Sequence, residues 1–133
     1  MILVDTNALI WFLEDEPSLG PQARRLIGEA HGDETLATSA FSFWETAMLM
    51  AKNRIAIDCP ATEFRRRVLD AGVEEIAVTG GIGIAAVDLE GLHADPADRI
   101  IVATALAHDA TLVTADQRLL AWNGPLKTHD ARI

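Results

Sequence analysis

Short apolar runs alternate along the chain with longer segments of helical periodicity. Continuous apolar runs of this length are typical of strands that are buried on both faces of a parallel sheet. They predict four strands, with a possible fifth near the C-terminus: Ile2–Val4, Thr35–Thr38, Glu75–Val78, Thr111–Thr114 and Leu126–Thr128. Strands alternating with helices predict an α/β fold built on a mainly parallel sheet of four or five strands.

The segments between these runs are predicted as helices from their apolar spacing and their capping residues. The predicted helices span Ala8–Leu13, Ser18–Ala30, Ala40–Lys52, Cys59–Ala71, Thr79–Glu90, Ala97–His108 and Asp116–Trp122. Three glycines weaken the fifth helix and leave its start open. The sixth is apolar on most of its sides, so we expect it in the middle of the protein.

Length and charge restrict the function classes. The 133 residues suffice for one domain, and 11 basic against 20 acidic side chains give a net charge of -9. This balance argues against binding nucleic acid by bulk attraction. An acidic chain can still process nucleic acid if a divalent metal neutralises its site and basic residues cluster locally. The acidic total also suits a basic protein partner.

Cysteine usage and hydropathy limit the chain further. The single Cys59 excludes an intramolecular disulfide, and its expected role is that of a small core residue. Met1 leads directly into the first strand without a basic leader, and the longest apolar stretch, Ile100–Ala107, is too short to span a bilayer. We therefore expect a cytoplasmic protein with no membrane association.

Four acidic residues are predicted to meet at one edge of the sheet. Asp5 directly follows the first strand, and Asp116 comes two residues after the end of the fourth. Glu45 lies in the second turn of the helix after the second strand, and Asp98 in the first turn of the apolar helix. The carboxyl ends of parallel strands share one edge, where ligands of open α/β sheets bind.

Structural roles are the alternative for several of these acids. Asp116 could cap the helix that follows it, and capping could equally explain Asp98. Asp95 precedes a proline at a first helical position, so we interpret it mainly as an N-cap. Glu45 stands on an apolar helix, where an unpaired carboxylate is costly to bury. Asp5 has the fewest local structural reasons to follow a buried strand.

Carboxylates that share one edge predict a cation between them. Without one they would repel each other and raise each other's pKa. Oxygen ligands with few histidines select Mg²⁺ or Mn²⁺ over zinc. One or two such ions can activate a water and stabilise the leaving oxygen of a phosphodiester.

Four segments of the chain have an order and spacing that are specific enough for comparison with a known family: Ile2–Leu9, Ser42–Glu45, His93–Arg99 and Leu112–Asp116. They resemble the motifs of the PIN-domain family, and in particular those of the VapC toxins of bacterial toxin–antitoxin pairs. The resemblance covers essentially the whole chain. It implies a three-layer α/β/α sandwich and a Mg²⁺- or Mn²⁺-dependent endoribonuclease acting on RNA. It also implies a homodimer that a VapB-like antitoxin inhibits.

The resemblance also implies roles for individual residues. The family's acidic quartet falls on Asp5, Glu45, Asp98 and Asp116, and its polar residues near the metal fall on Asn7 and Thr114. An acid at Asp95 is frequent in the family, which favours a supporting role there. The commoner family form has an aromatic in place of Ala97 and a glutamine in place of Thr104, which puts substrate details in doubt more than activity.

Other charged residues remain open at the sequence level. Arg99 could pair with a phosphate or with a nearby acid. His93 could contact metal or substrate, although a structural surface histidine is the preferred interpretation. The basic run Arg65–Arg67 is interpreted first as a solvated helix face and second as an RNA or antitoxin contact.

Two rival functions need to be compared with the nuclease. A receiver-like phosphotransfer domain would use Asp5 as nucleophile, but it requires a second acid two residues later, where Asn7 stands. A catalytically weak PIN-like module would instead act only by binding its antitoxin and operator DNA. Metal-dependent RNA cleavage by the purified protein separates both from the nuclease.

Overall fold

A five-stranded, fully parallel sheet forms the centre of the fold. The computed structural model describes residues 1–133. The strands are β1 (Ile2–Val4), β2 (Leu36–Ser39), β3 (Glu74–Ile76), β4 (Thr111–Thr114) and β5 (Lys127–Asp130). They stand in the order β3-β2-β1-β4-β5, so β1 is central and the chain runs outward from it in both directions.

Seven helices cover the two faces of this sheet. They are α1 (Thr6–Leu13), α2 (Pro21–Gly32), α3 (Phe41–Ala51), α4 (Ala61–Asp70), α5 (Gly80–Asp88), α6 (Pro96–Ala107) and α7 (Gln117–Leu120). None of them combines the length and the apolar character that crossing a bilayer requires. The architecture confirms the predicted three-layer α/β/α sandwich.

The central strand shows why the sheet is buried on both faces. Val4 of β1 packs into a cluster formed with α1, α2 and α4, whereas Leu3 packs into the opposite cluster, which α6 dominates. Successive side chains of a strand point to opposite faces, so a run without polar interruption needs helices on both sides. α6 fulfils the expectation of a central helix, since all residues from Ile101 to Ala105 are buried.

Every predicted strand and helix is present, but several bounds were wrong. The second helix begins at Pro21 and not at Ser18, because proline suits the first helical turn and the residues before it form a turn. The third strand is Glu74–Ile76, displaced toward the N-terminus from the prediction, and the fifth extends to Asp130. The hydroxyl of Thr79 accepts from the backbone N–H of Ile82 and fixes the uncertain start of α5.

Arg99 holds the segment between α5 and α6 in place. Its guanidinium donates to the carbonyls of Ala86 (2.9 Å), Leu89 (3.1 Å), Leu92 (2.7 Å) and His93 (3.0 Å). The carbonyl of Ala86 lies in the last turn of α5, where the backbone carbonyls have no partner within the helix. The structure thus gives Arg99 a structural role, in place of the pairing with phosphate or acid considered from the sequence.

We expect Arg99→Lys to destabilise the protein by about 2–4 kcal/mol, because a single ammonium cannot satisfy carbonyls that a planar guanidinium reaches together. Urea unfolding measures the loss. Arg66→Ala, which removes an exposed arginine from α4, is the matched control and should change stability little. Equal stability of the two variants would contradict this role of Arg99.

Candidate metal centre

A cavity of about 460 Å³ opens at the carboxyl edge of the sheet. All four acids predicted to share this edge line it, and Asn7 and Asp95 lie on its wall with them. The acids are Asp5, Glu45, Asp98 and Asp116. Residues that lie up to 111 positions apart in sequence are thus brought together by the parallel strand order.

Asp5 is the most buried of these acids, with 9% of its surface exposed. One carboxylate oxygen accepts from the backbone N–H of Ala8 (2.9 Å) and so caps α1, while the other accepts from the hydroxyl of Thr114 (2.5 Å). Burial raises the pKa of Asp5 to about 6, although both hydrogen bonds oppose the shift. Asp5 is therefore the N-cap of α1, and the expectation that it has few local structural reasons to follow the strand is wrong.

Thr114 connects two acids of the cavity. Its hydroxyl donates to Asp5 and accepts from the backbone N–H of Asp116 (3.1 Å). Thr114 is fully buried at the end of β4 and does not itself line the cavity. Its role is to fix the orientation of the Asp5 carboxylate relative to the start of the loop that carries Asp116.

Asp116 is both a helix cap and a cavity residue. Its carboxylate accepts from the backbone N–H of Arg118 (2.8 Å) at the start of α7 and pairs with the guanidinium of the same residue (3.1 Å). Burial by itself would raise the pKa of Asp116, but the hydrogen bonds and charge of Arg118 outweigh it and lower the pKa. Capping and site membership are therefore not alternatives for Asp116.

Glu45 reaches the cavity from the side of β2. It lies one turn into α3, and its carboxylate accepts a short hydrogen bond from the hydroxyl of Thr6 at the start of α1. Thr6 is buried, so this bond supplies the polar partner that a half-buried carboxylate on an apolar helix requires.

Asp98 is left free for the cavity because a neighbour caps its helix. Asp95 accepts from the backbone N–H groups of Ala97 (2.9 Å) and Asp98 (3.2 Å), as expected for an N-cap. The Asp98 carboxylate instead lies 2.7 Å from Nε2 of His93. Burial raises the pKa of Asp98 to about 6; the His93 contact opposes the shift, and the charges of Asp95 and Asp116 add to it. Capping, the structural alternative for Asp98, is therefore wrong.

His93 belongs to the same centre. Its side chain is only 18% exposed, so the preferred interpretation as a surface histidine is wrong. One ligand atom each from His93, Asp98 and Asp116 lies within 4.8 Å of the others.

The donor set fits a hard divalent cation. Several carboxylates converge, and burial together with the charges of neighbouring acids raises the pKa values of Asp5 and Asp98. Carboxylate oxygens suit Mg²⁺ or Mn²⁺, and one imidazole beside them is compatible with Mn²⁺. A cation between these groups would offset both burial and mutual repulsion.

The remaining predicted residues lie in different places. Asn7 is exposed on the cavity wall, whereas Arg99 does not line the cavity. The run Arg65–Arg67 also lies outside it, in ion pairs with surface acids, in agreement with a solvated helix face. Thr104, one of the two departures from the family form, donates to the carbonyl of Ile100 within α6 (2.7 Å). The other, Ala97, is buried.

Several residues that line the cavity were not singled out from the sequence. Thr6 stands inside the first motif, and Arg118 lies two residues after an acid, so proximity could have indicated both. Arg54 and Arg132 also line the cavity, but no local pattern marks them. Ile101 contributes an apolar wall from α6.

Comparison with known proteins defines the family to which this fold belongs. The family model of the PIN domain matches residues 2–123, and the chain belongs to the PIN-domain family. Within it, the chain is of the VapC type. It is 33% identical to ribonuclease VapC22 of Mycobacterium tuberculosis over 125 residues, which cover 93% of each chain.

Solved structures agree on the fold. VapBC2 from Rickettsia felis, bound to a DNA fragment from its promoter, superposes with a TM-score of 0.70 at 18% identity, covering 97% of this chain and 98% of that one. A toxin–antitoxin complex from Klebsiella pneumoniae gives a TM-score of 0.64 at 23% identity, covering 98% of each chain. At these identities the likeness concerns the architecture alone.

The buried Asp5 predicts that metal-free protein loses stability as pH rises. The pKa of Asp5 in the folded state lies above the unfolded value of 3.8, so the folded state binds the proton more tightly. The stability that this proton contributes is fully present below about pH 4 and is lost as the pH rises through about 6. Asp5→Asn keeps the cap on the N–H of Ala8, and its amide N–H can donate to the hydroxyl of Thr114, which then loses the acceptor for its own proton. The pKa shift corresponds to about 3 kcal/mol at pH 7 and the lost acceptor costs about 1 kcal/mol, so we expect the variant to be more stable than the parent by about 2 kcal/mol.

Urea unfolding at pH 5 and pH 7 in EDTA measures this effect. The free energy of unfolding of the variant should depend less on pH than that of the parent. Asp98, whose pKa is also raised, should account for part of the pH dependence that remains. Asp33→Asn, at an exposed position after α2, serves as control and should follow the parent. An Asp5→Asn variant less stable than the parent at pH 7 would refute the argument.

Proposed function

We propose that this protein is a divalent-metal-dependent endoribonuclease toxin that hydrolyses RNA phosphodiester bonds and is inhibited by a VapB-like antitoxin. The observation that carries the proposal is the cavity in which Asp5, Glu45, Asp98 and Asp116 converge, each held by a hydrogen-bond donor of the protein. The family membership and the ribonuclease relative support the same activity.

The proposed ligands of the metal are Asp98 and Asp116, with Asp5 and Glu45 completing the site directly or through water. A bound Mg²⁺ or Mn²⁺ would lower the pKa of a coordinated water and stabilise charge on the phosphate. The protein's own contribution is to orient the carboxylates. Buried hydroxyl groups hold Asp5 and Glu45, which limits the motion of both before substrate arrives.

His93 holds the Asp98 carboxylate in the cavity. The ring nitrogen that contacts Asp98 lies 2.7 Å from it, and the other ring nitrogen is buried without a protein partner. A histidine paired to a carboxylate can hold that carboxylate in one orientation. In the proposed enzyme, His93 positions Asp98 for the cation.

The phosphotransfer rival is disfavoured by the surroundings of Asp5. Both oxygens of its carboxylate are engaged in hydrogen bonds, and the residue is 9% exposed, whereas a nucleophile needs access to a phosphoryl donor. The module that only binds antitoxin and operator DNA would share the fold and differ in activity. Cleavage assays therefore decide between it and the nuclease.

We expect Asp5→Asn to lower Mg²⁺-dependent cleavage of RNA by at least about 100-fold, since it removes one carboxylate from the metal centre. EDTA should abolish cleavage by the parent protein, and Mg²⁺ or Mn²⁺ should restore it. Cleavage of a labelled RNA by antitoxin-free protein is the measurement.

Asp33→Asn is the matched control and should retain full activity. Because Asp5→Asn is expected to be more stable than the parent at pH 7, its loss of activity could not be attributed to unfolding. Full cleavage by Asp5→Asn, or cleavage by the parent in EDTA, would disprove the proposed metal centre.

We also propose that the protein acts as a homodimer, and the exposed apolar face of α5 supports this. Ile84 and Val87 on this short helix are 67% and 77% exposed. Beside them lies an apolar groove lined by residues of α5 and by Pro96 and Ile100 of α6. A contiguous exposed apolar surface is typical of an interface, and a second copy would present the same surface in return.

Val87→Lys should convert the dimer into a monomer, because it places a charge in the centre of this face. Sedimentation velocity measures the change. Ile133→Lys alters a residue that is also exposed (53%) outside α5 and should leave the dimer intact. If both variants remain dimeric, another surface forms the interface.

A further inference from the structure

We infer that three arginines around the acidic cavity, Arg54, Arg118 and Arg132, form a phosphate-binding edge that holds an RNA strand against the metal centre. The inference rests on the proposed nuclease function and names the groups that bind its substrate. It addresses how a protein of net charge -9 could bind a polyanion.

The distribution of basic side chains singles out these three. Most other arginines are neutralised elsewhere, since carboxylates on the outer surface pair with them or, for Arg99, backbone carbonyls surround the guanidinium. The surface ion pairs outside the cavity are those of Arg24, Arg65, Arg66, Arg67 and Lys127. Arg54, Arg118 and Arg132 instead stand at the cavity that holds the metal centre.

The three arginines reach the cavity from separate parts of the chain. Arg54 follows α3, on the wall that Glu45 and Leu49 also form, and it is exposed without an ion-pair partner. Arg118 stands in the first turn of α7, and Arg132 follows β5. An RNA strand crossing the cavity could therefore meet a guanidinium on more than one side.

The C-terminal arginine is held in a fixed position. Arg132 donates to the carbonyl of Ala115 (2.8 Å), and its guanidinium lies 5.5 Å from the centre of the Trp11 ring. The backbone around it packs so closely on Gly20 that an added Cβ there would lie 2.3 Å from the carbonyl carbon of Ile133. A guanidinium held on an aromatic ring loses little freedom when its remaining N–H groups bind a phosphate.

Arg118 is placed between substrate and metal ligands. Its guanidinium lies 3.1 Å from the Asp116 carboxylate and 3.5 Å from that of Asp98. A cation bound by these two acids would compete for the same oxygens. The arginine, which is 59% exposed, would then be free to turn toward a phosphate, the oxyanion that its planar donors match best.

The charge balance of the cavity favours binding of the metal before binding of the phosphate. The lining carries five carboxylates and three guanidinium groups, a difference of two negative charges. One divalent cation offsets that difference, and a second would make the cavity positive. The arginines could therefore attract phosphate only once the carboxylates hold metal.

Binding of a short fluorescein-labelled single-stranded RNA of mixed sequence, measured by fluorescence anisotropy, tests the inference. Ca²⁺ replaces Mg²⁺ to limit cleavage, and a gel verifies that the RNA stays intact. We expect Arg54→Ala, Arg118→Ala and Arg132→Ala each to weaken binding about 3- to 10-fold. Each should also flatten the slope of log affinity against log salt by about 0.7, the value for one lost contact to single-stranded RNA.

Arg66→Ala is the matched control, because it removes the same charge from an exposed, ion-paired position outside the cavity. It should leave both affinity and salt slope unchanged. Arg54→Lys keeps the charge and should recover part of the affinity that Arg54→Ala loses. Such recovery would not follow if Arg54→Ala acted only by disturbing the fold.

Titration with Mn²⁺ provides a readout independent of RNA. Arg54→Ala and Arg132→Ala should bind Mn²⁺ as the parent does, whereas Arg118→Ala should bind it at least as tightly, because a competing cation is removed. A loss of Mn²⁺ binding in all three variants would overturn the inference, since the arginines would then support the metal site and not the substrate.

The RNA results separate this inference from the proposed function. If the parent cleaves RNA but the three variants keep its affinity and salt slope, or Arg66→Ala weakens binding equally, the phosphate-binding edge is wrong and the nuclease stands. If antitoxin-free parent protein neither binds nor cleaves RNA with any divalent metal, the proposed nuclease function itself fails.

Discussion

The buried carboxylate of Asp5 connects the parts of the molecule that form the site. It ends the central strand, caps α1 through the N–H of Ala8 and accepts from Thr114 at the end of β4. Three elements are thus held together by one side chain that burial disfavours in its charged form. A cation is the natural compensation, because it would offset the burial of this carboxylate and the charge of its neighbours without displacing the cap.

Fold and site use the same side chains at the carboxyl edge of the sheet. Each strand ends where a helix or loop begins, and the first N–H groups of a helix need an acceptor at that position. Asp116 meets this need for α7 and still lines the cavity. At α6 the two tasks are divided, since Asp95 caps the helix and leaves Asp98 to His93. Asp98 can therefore serve the cavity because another residue caps its helix, whereas Asp116 caps α7 and lines the cavity at the same time.

The distribution of charge matters more here than its sum. Carboxylates on the outer surface pair with the basic run of α4, so the most conspicuous basic segment of the sequence has no free charge to offer. The arginines at the cavity come instead from a loop, a one-turn helix and the C-terminal segment. A net charge of -9 is therefore compatible with local sites for a polyanion.

The sequence by itself determined the α/β class, every strand and helix, and the meeting of the four acids at one edge, because these depend on local periodicity and on the rule that parallel strands end together. Bounds such as the start of α2 depend on turn geometry and were less certain. Only the tertiary structure decided which hydroxyl groups hold Asp5 and Glu45. Thr6 and Glu45 lie 39 residues apart and Asp5 and Thr114 lie 109 apart, so no local pattern records these pairs. Packing also assigned Arg99 to backbone carbonyls and brought Arg54 and Arg132 to the cavity, because the direction of a long side chain depends on neighbours that only the folded chain supplies.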